Sequence, residues 1–222
     1  KAVNDRLGAT DCAPGEFCIP TSCTPIVGGC GGGRACNGDC FVKVQRVNNL
    51  PDDYHIPGGG SGGFDVNPIW PGDTTYGNNT LAASFHQADD FTVPTGETWA
   101  LSMGSTWLYQ SNSSTSEPIT DVFIQIWNGV PGAGGAVIAG DLVNDRLILS
   151  AFSGTYRTSD ADRGNTARAI KHVTFDLSFV PPLTEGSYWI EFATNGSTSF
   201  SGPWQPVRTP TRPGVDNGRF LT

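Results

Sequence analysis

All six cysteines of this 222-residue chain fall between Cys12 and Cys40, and none follows. Whatever they do is therefore local, because they cannot brace a core built from the long remainder. The spacing is C-x5-C-x4-C-x6-C-x5-C-x3-C over Cys12, Cys18, Cys23, Cys30, Cys36 and Cys40. It is threaded through Pro14, Gly15, Pro20, Pro25 and a glycine-rich stretch from Gly28 to Gly33. A loop-rich segment of about 40 residues cannot bury enough apolar surface to order itself, so such segments normally depend on disulfides or a metal. Zinc needs two closely spaced cysteine pairs, and only Cys36 and Cys40 come near that pattern. Disulfides are the better reading. The spacing matches neither the epidermal-growth-factor nor the adjacent-cysteine knottin pattern, so their connectivity stays open. Oxidised cysteines place the protein outside the cytosol. The chain starts at Lys1 with no hydrophobic export segment and no membrane-spanning run, which reads as a mature secreted product, extracellular or at the cell surface.

Beyond the cysteines the signals are those of strands. Glycine (29) and proline (16) each outnumber Lys plus Arg (13), a balance that suits short strands and tight turns better than helices. From His172 to Phe179, Val173, Phe175, Leu177 and Phe179 alternate with polar residues, the mark of a half-buried strand. Val122, Ile124 and Ile126 share a face in a second strand, Tyr188, Ile190 and Phe192 in a third, and Trp99, Leu101 and Met103 in a fourth. Shorter candidates run over Asp90–Val93, Thr106–Gln110, Ala136–Ala139 and Arg146–Ala151, with Asn128-Gly129, Pro131-Gly132 and Glu185-Gly186 as turn chemistry. No crossover helix is visible, so the pairing should be antiparallel. The spacing predicts an all-β, antiparallel, two-sheet jelly-roll-like sandwich preceded by a small disulfide-rich loop segment. Its divisions are a disulfide-rich segment over 1–47, a Gly-rich linker over 48–66, the sandwich over 67–205 and an extended, proline-containing tail over 206–222.

The strings Gln87-Ala-Asp-Asp-Phe-Thr-Val-Pro-Thr-Gly-Glu-Thr-Trp99, Val122-Phe-Ile-Gln-Ile-Trp-Asn-Gly-Val-Pro-Gly132 and Gly186-Ser-Tyr-Trp-Ile-Glu191 resemble a jelly-roll-like sandwich domain of secreted, surface-sorted bacterial proteins. That resemblance spans roughly residues 85 to 205. It implies a structural domain without an assigned activity.

Candidate chemistry is sparse. Gly59-Gly-Ser-Gly-Gly63 matches a nucleophile elbow in letters, but the elbow works only between a strand and a helix, and a glycine connector explains the run better. His55, His86 and His172 form no zinc-binding pair, and Asp52-Asp53 and Asp89-Asp90 are sequence neighbours that point apart on a strand. Asp160, Asp162 and Asn165 space oxygen ligands at alternate positions in a loop, as calcium sites do, although Arg163 interrupts them; a solvated turn is the plainer reading. Calcium is thus the one cofactor the chain suggests, and none is required. Of the six tryptophans, Trp99 belongs with the core. Trp127 and Trp189 lie opposite the apolar faces of their strands, where exposed indoles would stack on sugar rings.

The formal net charge of −8 disfavours nucleic acid and anionic membrane as partners. The leading expectation is a non-catalytic extracellular structural or adhesive protein. It would be a surface or filament subunit whose partner is another copy of itself or another surface component. A carbohydrate-binding module taking a glycan on Trp127 and Trp189 is the second expectation, and a hydrolase with an unrecognised site the third. Assembly would use the ends: Ala2–Leu7, and Val215–Leu221 beyond Pro206, Pro210 and Pro213, add strands to a neighbour's sheet edge or fold back on their own subunit.

Overall fold

The computed structural model describes residues 56–69, 74–206 and 218–222 with their side chains, and the backbone of 18–22 and 39–43. In the cysteine-rich segment, β1 (Cys18–Ser22) pairs antiparallel with β2 (Asp39–Lys43), which sets Thr21 opposite Cys40 and Cys18 opposite Lys43. Cys12, Cys23, Cys30 and Cys36, the side chains of Cys18 and Cys40, and with them the expected disulfides, lie outside the described residues.

The rest is all-β, with two sheets packed face to face. In chain order the strands are β3 (Asp65–Pro68), β4 (Gly77–Asn79), β5 (His86–Trp99), β6 (Met103–Ser111), β7 (Ile119–Asn128), β8 (Ala136–Asp141), β9 (Leu147–Thr158), β10 (Ala169–Asp176), β11 (Leu183–Gly196), β12 (Ser201–Pro206) and β13 (Arg219–Leu221). Six form one sheet in the order β3-β9-β10-β6-β12-β4, and five form the other in the order β13-β5-β11-β7-β8.

Alternation decides what faces the core. Val173 and Phe175 of β10 meet Val122, Ile124 and Ile126 of β7, Tyr188, Ile190 and Phe192 of β11, and Phe91 and Val93 of β5 in one buried cluster. β10 itself stops at Asp176. Leu177 still reaches the core and Phe179 packs half-buried against it from the following turn, with the Arg146 guanidinium 4.0 Å above its ring. Gly104 faces Phe175 across the β6–β10 pair, where a Cβ would stand 2.4 Å from the ring. Only glycine leaves room there.

Several local expectations take another form. Trp99, Leu101 and Met103 are not one strand: Trp99 ends β5, Met103 starts β6, and the chain changes sheets between them. Trp99 and Leu101 are apolar because they close the sandwich at that crossing. Glu185-Gly186 is no hairpin turn but a bulge inside β11, where the register against β5 shifts and Gly186 has φ +152°. The pairing is not wholly antiparallel either, because β3 runs parallel to the second half of β9. The chain between them is long enough to allow it. The glycine run is built into the fold. Ile56 bridges Val66, the Gly58 amide donates to Asp65 Oδ1 at 2.9 Å, and Ser61–Gly63 form a single 3-10 turn. Gly58, Gly62 and Gly63 all adopt positive φ, so here glycine serves a tight turn rather than slack.

Lys171 alternates with Val173 and Phe175 and so stands on the core face, 2 % exposed. Its ammonium donates to the carbonyls of Ser114 at 2.8 Å and Thr115 at 2.6 Å, which ties down the loop between β6 and β7. Burial pushes its pKa below the usual lysine value, against a smaller opposing pull from Glu117. The unfolded chain therefore binds more protons between the folded value and 10.5, so stability rises with pH through that window and is lost as pH falls through the folded value. Lys171→Met should remove this slope: urea midpoints from pH 8 to 10.5 are expected to show the parent chain gaining on the variant. Parallel pH profiles for the two would contradict the assignment.

Candidate functional site

The outer face of the five-stranded sheet gathers the polar and aromatic groups with the most chemistry. In β11, Trp189, Glu191 and Ala193 alternate with core-facing Tyr188, Ile190 and Phe192, so they look away from the core. The register sets Trp189 directly opposite Trp127 on β7 and Asp90 on β5, and sets Glu191 opposite Gln125 and Ala88. Val137 of β8 continues the row beyond Trp127.

Glu191 sits at the centre and is 2 % exposed. One carboxylate oxygen lies 2.7 Å from Nδ1 of His86, and the other accepts the Trp127 indole N–H at 2.7 Å. An ionised carboxylate only accepts, so the His86 nitrogen facing it carries a hydrogen; the other ring nitrogen lies 3.4 Å from the Ala82 carbonyl. Both oxygens are thereby committed. The two bonds tie the Trp127 indole and the His86 ring to one buried carboxylate. Trp189 is covered, at 8 % exposure, with the Arg219 guanidinium 5.8 Å from its ring centre. Trp127 is half-buried. Sequence reasoning placed each tryptophan opposite the apolar face of its own strand, gave His86 no role and missed Glu191. A lone charged residue inside the apolar run Tyr188-Trp-Ile-Glu-Phe192 was the available signal.

The suggested cation loop is arranged differently from a coordination shell. Asp160 is taken by Arg163, whose Nε donates to it at 3.0 Å, while Asn165 donates to Asp162 at 3.0 Å and accepts the Ala167 amide at 2.9 Å. The arginine supplies beside Asp160 the positive charge that a metal would bring. Among the described residues no group of three His, Cys, Asp or Glu side chains converges on one point. Asp162 and Asn165 instead line a shallow groove of about 690 Å³ with Asn112, Ser113, Thr115 and Tyr156.

The remaining candidates are dispersed. His172 lies on the outer face of β10 with its ring 5.3 Å from Trp107, and burial lowers its pKa. Asp89 and Asp90 follow one another along β5, and the Asp90 amide donates to the Asp89 carboxylate at 3.0 Å. Gly59–Gly63 leads into β3 through the 3-10 turn rather than from a strand into a helix, so the elbow's framework is not what surrounds it. Asp52, Asp53 and His55 lie outside the described residues. No family model, curated protein or solved structure matches this chain.

Proposed function

We propose that this chain is a non-catalytic structural or adhesive protein of the cell exterior that assembles with copies of itself. The observation that carries the reading is the way the chain spends its own C-terminus. Arg219–Leu221 fold back as a strand on the open edge of their own β5, the alternative to pairing with a neighbour, and the same backbone pairing is what addition to another copy's edge would use. Two packed sheets provide a stiff body, and the most buried acid of the outer face, Glu191, holds two side chains in place rather than a reacting group. The finer topology fits a jelly roll: β5, β6 and β7 alternate between the sheets, β10, β11 and β12 do so again, and β11 inserts between β5 and β7. Six cysteines confined to one short segment suit disulfides and an oxidising exterior, which is in keeping with this reading. Sedimentation and electron microscopy of the native protein test the reading: oligomers or filaments are expected, and a monomer at high concentration would overturn it.

One observation favours glycan as a ligand of the same protein. Trp127 is half-exposed on a flat sheet face with Gln125 beside it on the same strand and Val137 across from it. Trp127→Ala is then expected to weaken retention on a glycan column at least tenfold, in line with the loss of one stacked aromatic. Equal retention of the variant and the parent chain would exclude this face.

A further inference from the structure

The five-stranded sheet has one edge that the chain closes with its own end. β13 is three residues long, and each residue has a seat. Arg219 pairs with Ala88 and lies over Trp189, Phe220 pairs with Gln87 and stacks on Phe85 with ring centres 5.2 Å apart, and Leu221 pairs with His86. The Leu221 side chain also approaches Gly132 of the β7–β8 turn, its Cδ2 lying 3.9 Å from where a Cβ would stand. Past Ala88, β5 has no partner on that side among the described residues. The edge therefore carries a site whose ligand chemistry is visible: an extended Arg-Phe-Leu segment, read by backbone pairing, one cation over an indole and one ring on another.

We propose that this seat is a strand-exchange site, which takes the C-terminal strand of a second copy of the chain in place of its own. The proposal rests on the assembly reading above and assigns its contact. A neighbour's residues 219–221 would make the same contacts as the chain's own, so exchange changes connectivity and not chemistry, the situation in which swapping between identical chains costs least. The occupying strand is short, and Phe220 keeps 47 % of its surface in water even when seated. Little is lost when it leaves. Residues 207–217, which include Pro210 and Pro213, span at most about 40 Å when extended, which limits how far away a copy served by the exchanged strand can lie. Charge draws the segment to the body of either copy, its own or a neighbour's. The tail carries Arg208, Arg212 and Arg219 against the single acid Asp216, whereas the whole chain has a net charge of −8, so a basic tail meets an acidic body. Asp89 and Asp90 follow Ala88 along the same strand. Because each copy both offers a tail and presents a seat, the contact is heterologous and propagates unless it closes into a ring.

The test compares the full chain with a chain lacking residues 218–222 and uses a labelled peptide of residues 214–222 as probe. Circular dichroism and a urea melt establish that the shortened chain is folded; if it is not, the pair Arg219→Glu with Phe220→Ser replaces the deletion. Expected are assembly of the full chain, loss of assembly on deletion, and peptide binding to the vacant seat at least tenfold tighter than to the full chain. A shortened chain that assembles as the full chain does would overturn the exchange site while leaving self-assembly standing. A full chain that stays monomeric at high concentration overturns the assembly reading itself, and peptide binding to the shortened chain would then mark β13 as a strap used only in cis.

Discussion

Phe175→Ala is expected to lower the unfolding free energy by about 3–5 kcal/mol, the cost of removing a buried aromatic and leaving a cavity. Phe175 is 4 % exposed and lies in the cluster that joins the two sheets, so no solvent can refill the space cheaply. Collapse is also hindered, because the ring's nearest neighbour across the sheet is the backbone of Gly104 rather than a side chain that might lean in. The reciprocal change gives the argument a second handle. Gly104→Ala places a methyl 2.4 Å from the Phe175 ring in the parent chain, and should destabilise it, yet it should be tolerated better once Phe175 is alanine. A double-mutant cycle in urea should show this coupling as a double variant less destabilised than the sum of the two single variants, with the m-value unchanged. Near-neutral behaviour of Phe175→Ala would mean that the facing of β10 is wrong.

Glu191→Leu is the second change expected to act strongly. It strands two donors, the Trp127 indole N–H and the His86 ring N–H, on a face where Glu191 is almost wholly buried. Leaving a buried donor unpaired costs about 1–3 kcal/mol, and because Trp127 and His86 are both partly exposed the two together are expected to cost about that much rather than twice it. Glu191→Gln retains one acceptor and substitutes a donor for the other, so it should fall between the parent chain and Glu191→Leu. Adding Trp127→Phe to Glu191→Leu removes one of the stranded donors and should recover part of the loss. The measurement is again a denaturant melt, with indole fluorescence reporting whether Trp127 has moved. An additive double variant would show that the hydrogen bond carries no weight.

The parts of the fold that the sequence made legible are those where burial and alternation coincide. Val173 to Leu177 buries every second residue, and in Val122 to Ile126 and Tyr188 to Phe192 every second residue joins the same core cluster although the opposite face is largely covered as well; a period of two survives any rearrangement of neighbouring loops. Trp99, Leu101 and Met103 mimic that pattern, because a crossing between sheets also needs apolar residues and three letters cannot distinguish the two. The parallel partner of β9 was invisible for a different reason. Asp65–Pro68 is short and polar at its ends, and its pairing depends on a strand some ninety residues away. Arg157 teaches the same lesson: fully buried, it donates to the Tyr76 carbonyl at 2.9 Å and to Asn67, partners that no local pattern announces. At the outer face, the tryptophans were legible as side chains on the wrong side of apolar strands. Glu191 was not, because its role depends on His86 arriving from β5 and Trp127 from β7.

The insertion of β11 between β5 and β7 dictates when this protein can fold. Gln87 and its partner Phe192 are separated by about a hundred residues, which at roughly 5–20 residues per second are synthesised many seconds apart. Until β11 emerges, β5 and β7 have no common neighbour, and their apolar faces stay open across a gap one strand wide. Within the two large sheets, only β7–β8 and β9–β10 are neighbours that are also consecutive in the chain among the described residues. A topology so dominated by distant pairings folds in milliseconds to seconds rather than microseconds. The nascent chain therefore exposes those faces to its siblings until β11 is made.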